Sequence, residues 1–371
     1  LRDQHDRRDR PRPAQGEGGQ PPQGDRWMRM RALLGLALTG MLCGPISAQD
    51  NPARPGLMDL PLSARLAGSA ESMGAPLQAT LGDVLGQPAL LDSTHAGKLH
   101  LGYMDFFSGA AQAAVLYARR PETRRWSWHT GFRNLGFGSF TGRDPVGTGT
   151  GTFTASDVAW VSGAALPVDT NLTIGTSLWL GQSILADRRS NFAQLDVGLT
   201  YFRQDRQLRL AALWRPWGGM TNVGGSGSSG RFDGDLKVSL SKGFANAPFT
   251  LLATYDELQT WDLAPEGLYD DTIDPLTGDT IANGTWAFGD RLLRHLAIGT
   301  ELDLGGGLRF RFGYHHRRRQ ELRLAAAPGT AGFAWGLDFN VRRFQLAVAR
   351  NTYHTAGAST HLAIRTRLTD R

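Results

Sequence analysis

The sequence has a single cysteine, Cys43, among its 371 residues. One thiol cannot form an intramolecular disulfide, and it cannot supply a zinc site built from several cysteines. Beyond residue 48 the chain also lacks any run of 18 apolar residues, so the sequence predicts no membrane-spanning helix there. Composition therefore excludes a disulfide scaffold and a helical membrane protein.

The sequence also lacks a large excess of positively or negatively charged residues. The chain carries 40 Lys and Arg against 34 Asp and Glu, a net charge of +6. Residues 1–48 hold 8 of the arginines and 5 of the acidic residues, which leaves 32 basic and 29 acidic residues in the remainder. A protein whose main partner is a polyanion needs a stronger basic excess, so we predict no nucleic-acid partner.

The first 48 residues have the composition of a leader. Residues 1–27 are polar and rich in proline and glycine, which predicts a disordered or untranslated segment. Met28 is followed by two arginines, an apolar run over residues 32–42 and small residues that end at Ala48. This order predicts that residues 28–48 are a signal peptide cleaved after Ala48, and it leaves open whether translation starts at Met28.

Alternation of apolar and polar residues dominates the chain after residue 97. In one such segment Leu195, Val197 and Leu199 fall on one face, and Asp196 and Gly198 fall on the other. About 14 segments of this kind follow one another, among them residues 111–119, 292–304 and 307–318. No helical period of 3.6 is found among them. Most are longer than the five or six residues usual in soluble sheets, and they match the roughly 9–11 residues that a tilted strand needs to cross a bilayer.

The connections between these segments alternate between long and short. Long gaps include residues 138–150 and 260–291, whereas short gaps include "QDR" and "ANAP". Outer-membrane barrels have long loops at one end and short periplasmic turns at the other. We therefore predict an all-β fold, a closed antiparallel transmembrane β-barrel of about 14 strands over residues 98–371. Residues 49–97 are predicted to form an N-terminal periplasmic or plug segment.

The stretch "LDLGGGLRFRFGY" predicts how charge is distributed in that barrel. A hairpin with Gly305–Gly307 as its loop sets Asp303 opposite Arg309 and Glu301 opposite Arg311. A shift of one residue would set carboxylates opposite leucine and phenylalanine. We therefore predict ion pairs in the lumen, with the apolar wall facing outer-membrane lipid; an arginine on that wall would cost about 2–4 kcal/mol at mid-bilayer.

The remaining candidate chemistry is weak. Adjacent strand residues point to opposite faces, so His315 and His316 are not expected to share a metal ion. The run Arg317–Arg319 leaves a strand for a loop; it could contact phosphates of lipopolysaccharide, or it could be solvated. No arrangement of a nucleophile with a base stands out. We predict no catalytic residue, no metal and no cofactor.

Several segments resemble a known family in their order and spacing. They include "MDLPLSARLAGSA", "GQPALLDSTHAGKLHLGYMDFFSGA", "GTFTASDVAW" and "LDVGLTYF". From about residue 57 onward the chain is similar to the PorV/PorQ group of the type IX secretion system, which belongs to the FadL-like outer-membrane barrels. The residues that fall on family motifs are Pro88, Ala89, Leu90, Gly151, Phe153, Ala155 and Asp157.

That resemblance implies a 14-stranded barrel without enzymatic activity. It also implies a surface complex with proteins like PorU, PorV and PorZ, which processes secreted cargo and attaches it to lipopolysaccharide. We expect residues 260–291 to be the docking segment for such partners.

Two rival hypotheses stay open. A FadL-like transporter of hydrophobic small molecules would need an apolar lumen pocket or a lateral opening. The predicted lumen faces carry mostly Gly, Ala, Thr, Asp and Arg, with Trp179 and Phe202 as exceptions. A soluble sandwich or nucleic-acid binder would leave the leader and the sorted loop lengths unexplained.

Overall fold

The computed structural model describes residues 54–61, 63–222, 227–273, 276, 280–281, 283, 286–323, 329–354 and 357–368. The predicted leader and signal peptide lie outside the described residues. None of the helices in these ranges is long and apolar enough to cross a membrane.

The secondary structure of the described residues is mainly strand. The strands are β1 (Lys98–Asp105), β2 (Ala111–Arg119), β3 (Ser127–Arg143), β4 (Gly149–Pro167), β5 (Leu172–Leu185), β6 (Arg188–Arg203), β7 (Leu208–Thr221), β8 (Ser229–Arg231), β9 (Asp235–Phe244), β10 (Ala247–Tyr255), β11 (Thr272–Ile273), β12 (Thr280–Ile281), β13 (Leu296–Asp303), β14 (Leu308–His315), β15 (Phe333–Val341), β16 (Phe344–His354) and β17 (Gly357–Arg367). The α-helices are α1 (Gly56–Asp59), α2 (Ala64–Gly68), α3 (Ala287–Arg294) and α4 (His316–Leu322). Short 3₁₀ helices are η1 (Leu81–Leu85), η2 (Pro88–Leu90), η3 (Ser93–His95) and η4 (Phe107–Gly109).

Fourteen of the strands form a closed barrel. The three short strands β8, β11 and β12 are not part of it. Each barrel strand is antiparallel to the next along the chain, with β7 pairing to β9 and β10 to β13. Strand β17 returns to pair with β1, so that Lys98 lies opposite Arg367. Because the barrel is closed, each barrel strand pairs with a neighbour on both sides. The predicted closed antiparallel barrel of 14 strands is confirmed.

The barrel wall is apolar outside and polar inside. On β17, Leu362 and Ile364 are exposed, whereas His361 and Arg365 are buried. Soluble proteins bury their large apolar side chains, so this wall has its apolar face toward lipid. Every barrel strand contributes at least one exposed large apolar residue: Leu101, Val115, Phe132, Trp160, Leu178, Leu199, Leu210, Leu240, Leu251, Ile298, Phe312, Trp335, Phe344 and Ile364.

Two helices contradict the expectation that no helix follows residue 97. Strands had been predicted over 292–304 and 307–318, but α3 occupies the start of the first range and α4 the end of the second. Helix α3 is held in part by an i, i+4 ion pair of 2.8 Å between Asp290 and Arg294. Helices of only seven or eight residues carry too few turns to give a clear 3.6-residue period.

The loop lengths differ in part from those predicted. Residues 138–150, taken from the sequence as a long loop, are mostly strand, because β3 continues to Arg143 and β4 begins at Gly149. The connections from β10 to β13 and from β14 to β15 are long, and their described residues, which include α3 and α4, follow strands that end at the same end of the barrel. We call that end the loop side and the opposite end the short-turn side.

The N-terminal segment, residues 54–97, lies inside the barrel, and we call it the plug. Helix α2 contacts β14 to β17, η1 contacts β1 and β2, and η2 contacts β4 to β6. Most of the plug's side chains are buried. The sequence left open whether this segment fills the barrel or lies below it; the structure places it in the lumen.

Glycines on the inner wall make room for the plug. A Cβ atom on Gly313 would lie 2.1 Å from the carbonyl oxygen of Ser69, and one on Gly198 would lie 1.9 Å from Oε1 of Gln87. Carbon and oxygen atoms do not approach so closely without displacement. Glycine in these strands therefore allows the plug backbone to contact the wall directly.

Candidate functional site: the plugged lumen

One half of the lumen is an apolar core shared by the plug and strands β1 to β7. Leu81, Leu85 and Leu90 of the plug are buried in one cluster with wall residues such as Leu116 and Trp179. The indole of Trp179 donates a hydrogen bond of 2.9 Å to Oδ2 of Asp196. Trp179, which the sequence singled out as an exception to the polar lumen, is therefore part of the packing that holds the plug.

The other half of the lumen is ionic. Arg311 of β14 donates to Glu301 at 2.7 Å and makes two hydrogen bonds of 2.7 Å with the carboxylate of Asp338. Arg365 of β17 contacts the same carboxylate at 3.2 Å. These wall residues bring together strands β13, β14, β15 and β17.

Arg65 of the plug joins this network. Its guanidinium lies 2.7 Å from Asp83 of the plug, 3.1 Å from Glu301 and 3.3 Å from Asp338. Three arginines and three carboxylates thus neutralise one another across the contact between plug and wall, and we call this set the ionic network: Arg65, Arg311, Arg365, Asp83, Glu301 and Asp338.

The network fixes the charge of the plug residues in it. Burial by itself would raise the pKa of the Asp83 carboxyl, but Arg65 outweighs it and lowers that pKa below its ordinary value. Burial would likewise lower the pKa of Arg65, and the surrounding carboxylates raise it instead. Both groups stay charged at neutral pH.

The four residues predicted as lumen ion pairs lie in different surroundings. In the register of β13 and β14, Glu301 lies opposite Arg311 and Asp303 lies opposite Arg309. The first pair is in the ionic network. The second is at the short-turn rim, where Nε of Arg309 is 3.5 Å from Oδ2 of Asp303. Sequence analysis missed Arg65, Asp338 and Arg365, because their contacts depend on barrel closure and on the position of the plug.

A second ionic contact joins the plug to the loop side. Glu71 accepts a hydrogen bond from Arg318 of α4, whose guanidinium also lies over the ring of Tyr353 at 4.3 Å. Nη1 of Arg318 donates to Oδ1 of Asn351 at 3.2 Å. Burial by itself would raise the pKa of Glu71, but Arg318, with a smaller contribution from His315, lowers it to about 2.

Two cavities lie on either side of the plug. The loop-side cavity has a volume of about 490 Å³ and is lined by plug residues, by strands β7, β9 and β10 and by α4. Its lining mixes apolar residues such as Met58 and Leu213 with charged residues such as Arg215 and Lys237. The short-turn cavity has a volume of about 230 Å³ and includes Arg365 in its lining.

Acidic groups in the loop-side cavity respond to burial. Asp59 of the plug and Asp256, which follows β10, line this cavity, and burial raises the pKa of both carboxyls. Lys237 opposes that effect at each group and lies 3.7 Å from Asp256. Burial and Lys237 thus act in opposite directions on the pKa of these two carboxyls.

The residues that fall on family motifs take part in packing, backbone hydrogen bonding and strand pairing. Pro88, Ala89 and Leu90 form η2 against strands β4 to β6. The carboxylate of Asp157 accepts a hydrogen bond of 3.1 Å from the backbone N–H of Leu57. In the loop-side extension of β4, Gly151 has a positive φ of 109°, the ring of Phe153 stacks on Phe140 at 5.4 Å, and Ala155 pairs with Leu185.

The histidine pair and the arginine run have partners. His315 is buried on the lumen face of β14, whereas His316 begins α4, where its Nε2 lies 2.9 Å from Oδ1 of Asp290. Arg317 forms an ion pair of 2.7 Å with Glu257. Within the part of the chain that the structure describes, no group of three or more His, Cys, Asp or Glu side chains is placed to hold a metal ion.

The segment predicted to dock partners presents aromatic side chains on the loop side. Trp286 is 73% exposed, and Trp261 and Phe288 are each more than half exposed. Their ring centroids are separated by 5.9 Å for Trp261 and Phe288 and by 6.2 Å for Trp286 and Phe288. They form one contiguous aromatic patch on the surface.

Fold and site together define a class: a closed transmembrane β-barrel with an N-terminal plug in its lumen. A scan against protein-family models gives no match, and a search of the curated proteins gives none either. The chain resembles the solved structures of three transport barrels. They are the Ralstonia pickettii toluene transporter TbuX (15% identity, 85% of this chain and 100% of that chain covered, TM-score 0.49), the P. putida toluene transporter TodX (13%, 82% and 99%, 0.48) and the CymD monoaromatic hydrocarbon channel (13%, 84% and 97%, 0.45).

Likeness at these identities concerns the fold alone, and TM-scores below 0.5 leave the ligand and the partners of this chain open. None of the three likenesses bears on type IX secretion.

Proposed function

We propose that the chain is a non-enzymatic outer-membrane transporter of small amphiphilic molecules. The observation that carries this proposal is the loop-side cavity of about 490 Å³, which ends at the plug. Its volume is in the range of roughly 300–1,000 Å³ that small-molecule sites in proteins usually have. A barrel that serves only as an anchor needs no cavity of this size in its lumen.

The lining of the cavity favours a ligand with a polar head and an apolar body. Met58, Leu66 and Leu213 offer apolar surface. Arg215 and Lys237 add charged groups to the same lining, where they pair with Asp235 at 2.6 and 3.6 Å. A pure hydrocarbon would desolvate these charged groups without replacing their hydrogen bonds, which is costly. The transporter alternative therefore becomes the main proposal, with amphiphiles rather than hydrocarbons as the substrate class.

Transport through this lumen requires the plug to move, and that requirement gives a direct test. A Cβ on Gly68 would lie 3.0 Å from the Cβ of Ala349, so the pair Gly68→Cys and Ala349→Cys is close to the separation of about 3.5–4.5 Å that a disulfide needs. Cells that carry the gene are expected to take up a labelled fatty acid. The oxidised double variant is expected to lose that uptake, and a reductant is expected to restore it.

Each single-cysteine variant serves as the matched control, because it changes the same side chain without the cross-link. Uptake by the oxidised double variant equal to that of the single variants would contradict a mobile plug. Absence of uptake of both a fatty acid and toluene, relative to cells without the gene, would contradict the transport proposal itself.

Docking of surface proteins is the second candidate function, and the aromatic patch favours it. Exposed aromatic clusters are enriched at protein interfaces, where Trp and Tyr often contribute most of the binding energy. Under this proposal the patch binds proteins like PorU, PorV and PorZ, and the type IX secretion assignment stays a prediction. Contact with lipopolysaccharide stays a prediction too.

Co-purification from the native outer membrane tests this second candidate. The triple variant Trp261→Ser, Trp286→Ser and Phe288→Ser is expected to lose its surface partners, whereas Val146→Ser in a different exposed loop is expected to keep them. Equal recovery of partners with both variants would rule out the patch as the docking site.

A further inference from the structure

We propose that the short-turn cavity is a binding site for a phosphate group. This cavity lies on the other side of the plug from the loop-side cavity, and the proposal does not depend on transport. It is lined by residues of the plug and by residues of β1, β14, β15, β16 and β17. Its positive side chains come from three different strands: Lys98, Arg309 and Arg365.

Arg365 is the centre of the argument, because its guanidinium is buried without enough acceptors. The residue is 4% exposed, and it donates one hydrogen bond, from Nη2 to Oδ2 of Asp338 at 3.2 Å. Its Nε and Nη1 atoms donate to no acceptor among the described residues. Buried N–H groups of an arginine are normally paired, since leaving them unpaired is costly.

The one carboxylate beside Arg365 is already committed. Asp338 accepts two hydrogen bonds of 2.7 Å from Arg311, and Nε of Arg65 lies 3.3 Å from it. Arg65 and Arg311 also contact Asp83 and Glu301, whereas Asp338 is the one carboxylate to which Arg365 donates among the described residues. The network as a whole is balanced in charge, but Arg365 keeps two nitrogen atoms, Nε and Nη1, without an acceptor among those residues.

Two further cations line the same space. Lys98 forms no salt bridge with a described residue, and its nearest strand neighbour on β17 is another cation, Arg367. Arg309 donates to the side chain of Gln78 and has Asp303 at 3.5 Å. The lining thus holds three cationic side chains and one carboxylate, an excess of two positive charges.

The arrangement of donors favours a tetrahedral oxyanion over a planar carboxylate. Arg365, Lys98 and Arg309 approach from different strands, and the amides of Asn340 and Gln345 lie in the same lining. Four phosphate oxygens can accept from several directions at once, whereas a carboxylate is best satisfied by one planar fork. A volume of about 230 Å³ holds roughly eight water-sized groups at about 30 Å³ each, enough for a phosphate ester.

The lining residues lie inside the barrel, at the end where the short turns are. A phosphate group would therefore enter from the water at that end of the barrel. A soluble phosphate ester is the source that this position favours, and a lipid headgroup at the rim is the other source with the same chemistry.

Calorimetric titration of the full mature protein with inorganic phosphate, in detergent and at low ionic strength, tests the site. The wild type is expected to bind, and Arg365→Gln is expected to weaken the affinity by about tenfold or more, as loss of a charge-assisted contact predicts. Lys98→Gln, which leaves the ionic network intact, is expected to weaken it as well. Arg206→Gln removes an exposed arginine from a turn at the same end and is expected to change it by less than about twofold.

A heat-dependent shift in gel mobility establishes that each variant is folded. Absence of phosphate binding by the wild type, or equal affinities for Arg365→Gln, Lys98→Gln and Arg206→Gln, would overturn the proposal. Equal binding of acetate and chloride would overturn it too, since the site would then hold an adventitious ion only. Competition by nanodiscs of phosphatidylglycerol, but not of phosphatidylcholine, would support the site and identify the headgroup as its source.

Discussion

A single carboxylate, Asp338, lies within ion-pair distance of three guanidinium groups in the lumen. Removing its charge would leave Arg65, Arg311 and Arg365 with fewer anions than cations in a buried place. Breaking a buried ion pair at one partner typically costs about 3–5 kcal/mol, because the other charge stays buried and unpaired.

We therefore expect Asp338→Asn to lower the free energy of unfolding by about 3–5 kcal/mol, as measured by urea titration of the reconstituted barrel. The matched control is Asp303→Asn, since Asp303 is 53% exposed and pairs only at the rim. Its effect is expected to stay within about 0.5 kcal/mol. Equal losses for the two variants would refute the special position of Asp338.

The contact between Glu71 and Arg318 predicts how acid affects the plug. The folded-state pKa of Glu71 is about 2, below its ordinary value of 4.5, so its ionised form is the one that stabilises the fold. That stabilisation is complete above about pH 4.5 and is lost as the pH falls toward 2. Hydrogen exchange of plug amides is expected to accelerate through this interval.

Glu71→Gln separates this effect from that of Asp83, whose pKa is also lowered and whose contribution has the same sign. The variant is expected to exchange faster at neutral pH and to lose part of the acid dependence. An unchanged acid profile in Glu71→Gln would show that the contact does not hold the plug.

Among the elements, the inner-wall glycines and the plug depend on each other. In Gly313→Ala the new Cβ would meet the carbonyl oxygen of Ser69 at 2.1 Å, so the plug backbone must move away. The barrel strands themselves have no such conflict. We expect a barrel that still forms and still shifts on a heated gel, but whose plug is cut by added protease several times faster than in the wild type.

Gly136→Ala is the matched control for this prediction, because a Cβ there would meet nothing closer than the carbonyl oxygen of Ala111 at 4.0 Å. Protease cleavage of the plug at the wild-type rate in Gly313→Ala would mean that the plug adapts without displacement.

The elements also mark what could be predicted from the sequence. Strand alternation is a local property, so it predicted the fourteen strands and the pairing of the "LDLGGGLRFRFGY" hairpin. Strand β2, for example, was predicted over 111–119 and observed as Ala111–Arg119. The plug could not be placed in this way, because it contacts β14 to β17 and β4 to β6 through irregular turns without a period. Helices α3 and α4 were missed because seven or eight residues are too few to give a clear helical period.

For the whole molecule, the apolar outer wall is the property that decides where the protein resides. Leu178 lies near the middle of β5 on that wall, and Val146 lies in an exposed loop. Leu178→Arg is expected to lower the free energy of unfolding in lipid by about 2–4 kcal/mol. Val146→Arg adds the same side chain outside the wall and is expected to change it by less than about 0.5 kcal/mol.

Unfolding titrations in lipid vesicles and in a soluble-protein buffer separate this prediction from a general loss of stability. Equal effects of Leu178→Arg and Val146→Arg in vesicles would show that the wall does not face lipid.

Barrel closure has a consequence for the order of biogenesis. The plug precedes every barrel strand in the chain. Part of the surface that it docks against is Arg365 of β17, which follows all the other barrel strands. A nascent chain that lacks β17 cannot complete the cluster that receives Arg65. The N-terminal segment can therefore dock completely only after the barrel has closed. In a chain truncated before β17, that segment would be exposed to periplasmic proteases.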